Sequence, residues 1–317
     1  MLYHLLKIPS KIALAFYCRD IQVNDKAILQ TEGPLLIASN HPNSFLDAIV
    51  IATLFKRPVY SLTRGDMYAK PLISRILYAL KMFPVYRMSE GVENMEHNYT
   101  TFEKCKTVFK ENGIVLIFSE GLCINEWKLR LLKKGTARLA ISSWQDSIPL
   151  KVLPCGINYQ AFKLFGKNIK LNFGETIFEE NIDHTNGYGK TIQDFNEQLA
   201  AALKPLVIEV VPPDKKILQQ KFYVPIHYFK KTLLAIPAAL GYLFHAPLYM
   251  LIKSFTESRA GKSGHYDSIL IALLFVCYPF YLLLLTFITY LFIPYAWWLL
   301  LLLPFCAWSY VQLKKQF

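Results

Sequence analysis

Twenty-four consecutive residues, Ile269–Phe292, pass without a charged side chain. A helix of about 20 apolar residues spans the hydrocarbon of a bilayer, so this run is expected to be a membrane helix. Pro294 makes a turn, and Ala296–Val311 returns towards Lys314 and Lys315. Residues 269–313 therefore read as a transmembrane hairpin. Lys253, Arg259 and Lys262 precede it and the basic C-terminus follows it, which places both on the cytoplasmic side together with the rest of the chain. Tyr295, Trp297 and Trp298 fall at the far turn, where interfacial aromatic residues gather. Upstream, residues 231–253 are also apolar but carry Pro237, Gly241 and Pro247 between Lys230–Lys231 and Lys253. Basic residues on both flanks disfavour a simple crossing. A broken segment, re-entrant or lying at the interface, is expected, and whether it spans stays open.

Charge agrees with this. The formal net charge of +12 has two usual partners, nucleic acid and anionic membrane. With 53% hydrophobic residues and an apolar tail, the membrane is the expected partner and nucleic acid is not. Six cysteines form no C-x-x-C pair, which suggests neither a zinc site nor a disulfide framework and fits a reducing, cytoplasmic setting. At the N-terminus, residues 1–19 place Leu2, Leu5, Leu6, Ile12, Ala13 and Phe16 near a helical stripe. They lack a small-residue cleavage site and make a poor signal peptide. An amphipathic interfacial helix is expected, kinked or restarted near Ser10 because Pro9 falls on the stripe. An ordinary core-packed helix has the same pattern.

Between these ends, residues 20–215 alternate short apolar runs with helical patterns. Pro34–Ala38, Val59–Leu62, Met82–Tyr86, Ile114–Phe118, Pro149–Tyr159 and Ile169–Phe173 read as strands. Five consecutive apolar residues after Gly113 are the pattern of a strand buried on both faces. The alternation predicts an α/β domain, a mixed sheet flanked by helices.

Ser39–Asp47, read as Ser-Asn-His-Pro-Asn-Ser-Phe-Leu-Asp, lies where a predicted strand hands over to a predicted helix. An imidazole titrates near the neutral range, so His41 can take a proton. Asp47 can hold the other ring nitrogen, fix the tautomer and stabilise the imidazolium. A substrate bringing its own hydroxyl makes a serine nucleophile unnecessary. The same stretch also fits a capping box, with Ser44 as N-cap and Asp47 three residues on. The two readings are compatible, because a carboxylate fixed at a helix start is a good orienting group.

Other candidates follow other strands. Arg87 follows Phe-Pro-Val-Tyr and suits a phosphate through its planar fork, or a surface pairing with Glu90 or Glu93. Glu120 and Gly121 end the strand after Gly113, where Glu120 can bond substrate hydroxyls or orient a basic residue and Gly121 permits close approach. Lys128, Arg130, Lys133, Lys134 and Arg138 come next, interleaved with Trp127, Leu129, Leu131 and Leu132. Such a run is usually a solvated face; after a strand end it can bind phosphate or lie on anionic lipid.

In this order the pieces resemble the glycerophospholipid acyltransferase superfamily, the PlsC-like enzymes that make lysophosphatidate and phosphatidate. The resemblance spans about residues 20–210. His41 and Asp47 match the base and orienter of the first motif, His-x4-Asp, but five residues separate them here. Arg87 matches the phosphate-binding arginine that ends the second. Phe118-Ser-Glu-Gly121 matches part of the third, Phe-Pro-Glu-Gly-Thr-Arg, with Ser119 for its proline and Leu122-Cys123 for its last two residues. Val152-Leu-Pro154 matches the Val-Pro strand of the fourth. The spacing from His41 to Asp47, Lys133-Lys134-Gly135 and the C-terminal hairpin look like glycerol-3-phosphate acyltransferases of the fungal type and their bacterial relatives.

The resemblance implies a membrane-bound O-acyltransferase of phospholipid biosynthesis. An acyl chain would move from acyl carrier protein or acyl-CoA, as co-substrate, to a hydroxyl of glycerol-3-phosphate or 1-acyl-glycerol-3-phosphate. His41 and Asp47 would be catalytic. Arg87, Glu120, Gly121, Lys128, Arg130 and Lys134 would form the phosphate site. Backbone N–H groups at Asn43–Phe45 would hold the oxyanion. No metal or cofactor is implied. The alternatives are an acyltransferase for another lysolipid or an amino-acid lipid, and a non-catalytic lipid-binding membrane protein.

Overall fold

A computed structural model of the chain describes residues 1–86, 96–185 and 187–317. Its elements, in chain order, begin with α1 (Leu2–Tyr17), β1 (Cys18–Val23), β2 (Leu35–Ser39), α2 (Phe45–Leu54) and β3 (Val59–Arg64). Then come α3 (Pro71–Ala79), β4 (Met82–Val85), α4 (Glu96–Lys110), β5 (Ile114–Phe118), α5 (Gly135–Gln145), β6 (Lys151–Tyr159) and β7 (Lys167–Phe173). The chain ends with α6 (Tyr188–Leu203), α7 (Lys215–Phe222), α8 (Tyr228–Ala260), α9 (Tyr266–Tyr290) and α10 (Leu299–Leu313).

The strands form one sheet in the order β1-β7-β6-β2-β5-β3-β4. All pairings are parallel except β6 with β7, which is antiparallel. This is the mixed α/β sheet expected. β2 lies centrally, and its consecutive apolar residues serve two cores. Leu35 and Ile37 face one cluster, with Leu46, Val50 and Ile51 of α2; Leu36 and Ala38 face another, with α4, α5 and α6. Side chains alternate across a strand, so a central strand covered on both faces needs no polar alternation. Because β2, β3, β4 and β5 are parallel, their C-terminal ends share one edge, where α/β sheets keep their sites.

Prolines and backbone conformation set the helices and their ends. Pro71 opens α3 at its first turn, where a missing N–H costs nothing. α4 stops at Lys110, and Asn112 takes the left-handed position after it (φ 54°). Gly113 instead packs so tightly that a Cβ would lie 2.7 Å from the Val108 carbonyl oxygen. α1 runs unbroken through Pro9, burying Tyr3, Leu14 and Tyr17 while Leu5, Ile8 and Ile12 stay exposed as an apolar stripe.

The largest differences from the sequence reading lie in the tail. Where a break was expected, α8 is one continuous helix of 33 residues through Pro237 and Pro247. Each proline removes one helical hydrogen bond, and close packing on α10 supports the helix nearby. A Cβ on Gly241 would lie 2.0 Å from the Cys306 carbonyl oxygen. α8, α9 and the 296–313 segment are each long and apolar enough to cross a membrane. Yet both ends of α8 are held on the sheet domain. Lys230 Nζ donates to Gln312 Oε1 at 2.8 Å, and Gln312 Nε2 to the Arg19 carbonyl at 3.1 Å; Lys163 Nζ donates to the Gly261 carbonyl. Nor is the hairpin separate from the sheet domain: Leu270 and Ile271 of α9 belong to the core on the α2 face.

Candidate active site

His41 sits two residues beyond the end of β2, held by backbone and side-chain bonds on every side. Asn40 prolongs the strand with its amide, giving Nδ2 to the Ile157 carbonyl at 3.0 Å and taking the Ile157 N–H on Oδ1 at 2.7 Å. The His41 N–H donates to Glu120 Oε2 at 3.0 Å, and its carbonyl accepts from the Ile124 N–H at 3.3 Å. The imidazole stacks on Phe118, the last residue of β5, with centroids 3.8 Å apart and planes 10° apart.

His41 Nδ1 lies 2.9 Å from Asp47 Oδ2. The Asp47 side chain is fully buried, while the imidazole keeps 16% exposure. The carboxylate is otherwise saturated: Oδ2 also accepts the Asn43 N–H at 2.8 Å, and Oδ1 the Tyr159 hydroxyl at 2.8 Å. An ionised carboxylate can only accept, so Nδ1 carries the proton and Nε2 is left as a base. The expected capping box does not form. Asp47 bonds the Asn43 N–H instead of that of Ser44, and Ser44 makes no side-chain cap to its helix. The reason is conformational: Ser44 sits at φ 54°, ψ −136°, which swings the N–H of the preceding residue towards the carboxylate.

Two of the three N–H groups expected to face an oxyanion are taken. That of Asn43 goes to Asp47, and that of Ser44 to Cys123 Sγ at 2.9 Å. Among the described residues the Phe45 N–H meets no acceptor. Phe45 also lines an apolar cavity of about 250 Å³ between α1, α2 and α9, walled by Leu6, Ala48, Ala52, Met82 and Phe275.

Glu120 is 4% exposed, and its two oxygens serve two backbone N–H groups, Oε2 that of His41 and Oε1 that of Arg130 at 2.9 Å. Both oxygens thus face the backbone in this arrangement. Glu120 braces the His41 turn against the 120s loop, and an anionic carboxylate repels phosphate. Burial raises the Glu120 carboxyl above its ordinary value, against the lowering pull of those N–H bonds. Gly121 does adopt the glycine conformation, at φ 64°, and a Cβ there would press on Lys133 Cγ at 3.0 Å.

Among the expected cations that the structure describes, Arg130 is the one drawn to the site, through its backbone N–H bond to Glu120. Its Nη1 is buried without a partner among the described residues. Lys128 turns to Glu126 at 3.0 Å, and Lys134 is exposed at the start of α5. Arg87 lies outside the described residues.

The start of α9 supplies contacts that the sequence reading missed. His265 Nδ1 lies 2.6 Å from Ser44 Oγ, the Asn43 amide donates to Asp267 Oδ2 at 2.7 Å, and the Leu46 N–H donates to Ser268 Oγ at 3.2 Å. Burial, with the charges of Arg64 and His41, lowers the His265 pKa and favours its neutral ring, whose tautomer sets which of the two partners donates. One signal was available in the sequence: Asp267 abuts the uncharged run, and an acid at the edge of a membrane helix calls for a partner. Tyr159, the last residue of β6, gave none.

Residues 20–158 match the Acyltransferase family model. No curated protein matched the sequence. Among solved structures, the 1-acyl-sn-glycerophosphate (LPA) acyltransferase PlsC from Thermotoga maritima is similar at 15% sequence identity and a TM-score of 0.48. The match covers 70% of this chain and 82% of that one. Residues 20–158, which carry His41, Asp47 and the Phe118–Gly121 stretch, are thus an acyltransferase-family domain, and the match supports the resemblance of these motifs to the glycerophospholipid acyltransferase superfamily.

Proposed function

We propose that this acyltransferase moves an acyl chain from a thioester, of acyl carrier protein or coenzyme A, to a hydroxyl of glycerol-3-phosphate or its 1-acyl derivative. The observation that carries the reading is the His41–Asp47 pair, 2.9 Å apart, with the carboxylate buried and the imidazole reachable. His41 Nε2 removes the hydroxyl proton as the oxygen attacks the thioester carbonyl carbon. The C–S bond of the tetrahedral intermediate then breaks, and the proton passes from His41 to the leaving thiolate. Asp47 keeps the tautomer and stabilises the imidazolium. The Phe45 N–H is suited to the oxyanion, a donor worth roughly 3–4 kcal/mol in such a role.

The cavity beside Phe45 is apolar and suits the acyl chain. Arg130, with its unpartnered buried nitrogen, is the cation best suited to a phosphate, with Arg87, Lys128 and Lys134 as further candidates. Gly121 allows the acceptor to approach the backbone. The exposed apolar faces of α1 and α8–α10 support a membrane protein, and Lys253, Arg259 and Lys262 around the end of α8 support a cytoplasmic catalytic domain.

The test is a radiolabelled transfer assay offering glycerol-3-phosphate and lysophosphatidate side by side, each with both thioesters. Loss of a positioned base costs on the order of 10²–10⁴ in rate, so folded His41→Ala should be almost inactive. Near-normal turnover by that variant overturns the mechanism. Transfer only to another lysolipid or to an amino-acid lipid overturns the acceptor.

A further inference from the structure

The turn that carries the catalytic pair does not hold itself. Ser44 is a non-glycine residue at φ 54°, a conformation that persists only where its surroundings over-determine it. As N-cap of α2 it makes no cap bond with its own side chain. Asn43 is almost fully buried and leaves Oδ1 without a partner among the described residues. Asp47 and Cys123 take the backbone N–H groups of Asn43 and Ser44, but the side chains of these two are held from more than 200 positions away, at the start of the membrane helix α9. Ser268 Oγ caps the Leu46 N–H that Ser44 leaves uncapped, and Asp267 takes the Asn43 amide.

Asp267 is itself anchored. It is fully buried, accepts the Tyr17 hydroxyl on Oδ1 at 2.6 Å, and pairs with the fully buried Lys167. The Lys167 ammonium lies 5.7 Å from the ring centroids of both Tyr17 and Tyr159. Tyr159 in turn holds Asp47. One buried polar network thus runs from α1 and α9 to the catalytic carboxylate. A structural core needs no such chain, because apolar residues of the same volume fill it at no desolvation cost.

We propose that the start of α9 is a working part of the active site, with Ser268 and Asp267 as positioning residues for the turn bearing His41 and Asp47. This rests on the acyl-transfer reading above. Membrane helix and catalytic turn are then one unit: a tilt or withdrawal of α9 loosens the Leu46 cap and the Asn43 amide together.

The full chain in detergent or lipid vesicles is the test, with Ser268→Ala, Ser268→Thr, Ser258→Ala and His41→Ala compared. Asp267→Asn leaves Lys167 buried without a counter-charge and endangers folding, so Ser268→Ala, which deletes one hydroxyl, carries the test. It is expected to keep the cooperative melt of the parent and to lower kcat about ten- to a hundredfold, as small misplacements of catalytic groups do. KM for both substrates should stay within roughly twofold, because binding groups are untouched. Ser268→Thr, which keeps the hydroxyl, should restore most of kcat. Ser258→Ala, at an exposed site on α8, should behave as the parent. Parental kcat for Ser268→Ala, an equally slow Thr variant, or equal slowing by Ser258→Ala overturns the proposal. Activity of His41→Ala overturns instead the acyl-transfer reading beneath it.

Discussion

Tyr159 and His41 hold opposite oxygens of one buried carboxylate, Asp47, at 2.8 and 2.9 Å. The tyrosine ends β6 and the histidine follows β2, and these strands are neighbours in the sheet. Strand pairing therefore sets the position of the orienting group from both sides.

Tyr159→Phe is expected to keep the fold and slow the reaction. A hydrogen bond to a charged group is worth roughly 1.5–3 kcal/mol, and here part of it fixes Asp47 in line with Nδ1. Turnover should fall about tenfold, with KM for both substrates near parental values. Steady-state kinetics on the purified variant check this, and an unchanged kcat would show that the turn alone orients Asp47.

The cavity beside Phe45 makes a prediction about chain length. Ala52 lines it, and Ala52→Phe would fill part of it. Excluding two methylenes from an apolar site removes about 1.6 kcal/mol at about 0.8 kcal/mol each, or roughly fifteenfold in kcat/KM. Long-chain thioesters should lose that factor and short ones should not. A uniform loss across chain lengths would place the acyl chain elsewhere.

Glu120 predicts a direction with pH. Burial raises its carboxyl above 4.5, so the folded protein binds this proton more tightly than the unfolded chain. The stabilisation from that protonation is fully present below pH 4.5 and is lost as pH rises through the folded value. Glu120→Gln does not titrate. The melting temperature of the parent relative to Glu120→Gln should therefore be most favourable in acid and decline towards neutrality. A difference that grows with pH would mean that the two N–H bonds outweigh burial.

Topology follows from the C-terminus. Lys314 Nζ donates to the Phe165 carbonyl at 2.5 Å, and Gln316 bonds Asn168 at 2.9 Å, so the chain end stays with the sheet domain. In intact cells, a membrane-impermeant thiol reagent should reach a cysteine placed at Tyr295 and not one at Lys315. The opposite labelling would put the catalytic domain outside.

The strands at the centre of this protein were legible because their residues are apolar without interruption, and only a strand covered on both faces accepts that pattern. Ser39–Asp47 was legible as a site because histidine, turn residues and aspartate occur together at a strand-to-helix junction. Both signals are local, written within ten residues. What local pattern could not give was how the corner is held. Asp47 resembled a capping residue from its spacing, but Ser44 at positive φ redirects it to the Asn43 N–H and His41. Glu120 resembled a ligand for substrate from its place after a strand, but the fold turns both its oxygens on the backbone. α8 read as broken because proline removes helical bonds, and packing on α10 kept it whole. Tyr159, Asp267 and Ser268 reach the site only by tertiary contact, from more than 100 to more than 200 positions away. The sequence by itself determined which groups can move a proton and which segments are long and apolar enough to cross a membrane, since those are properties of side chains. Only the tertiary structure decided that the two meet, because a buried carboxylate must find its donors wherever the packed chain brings them.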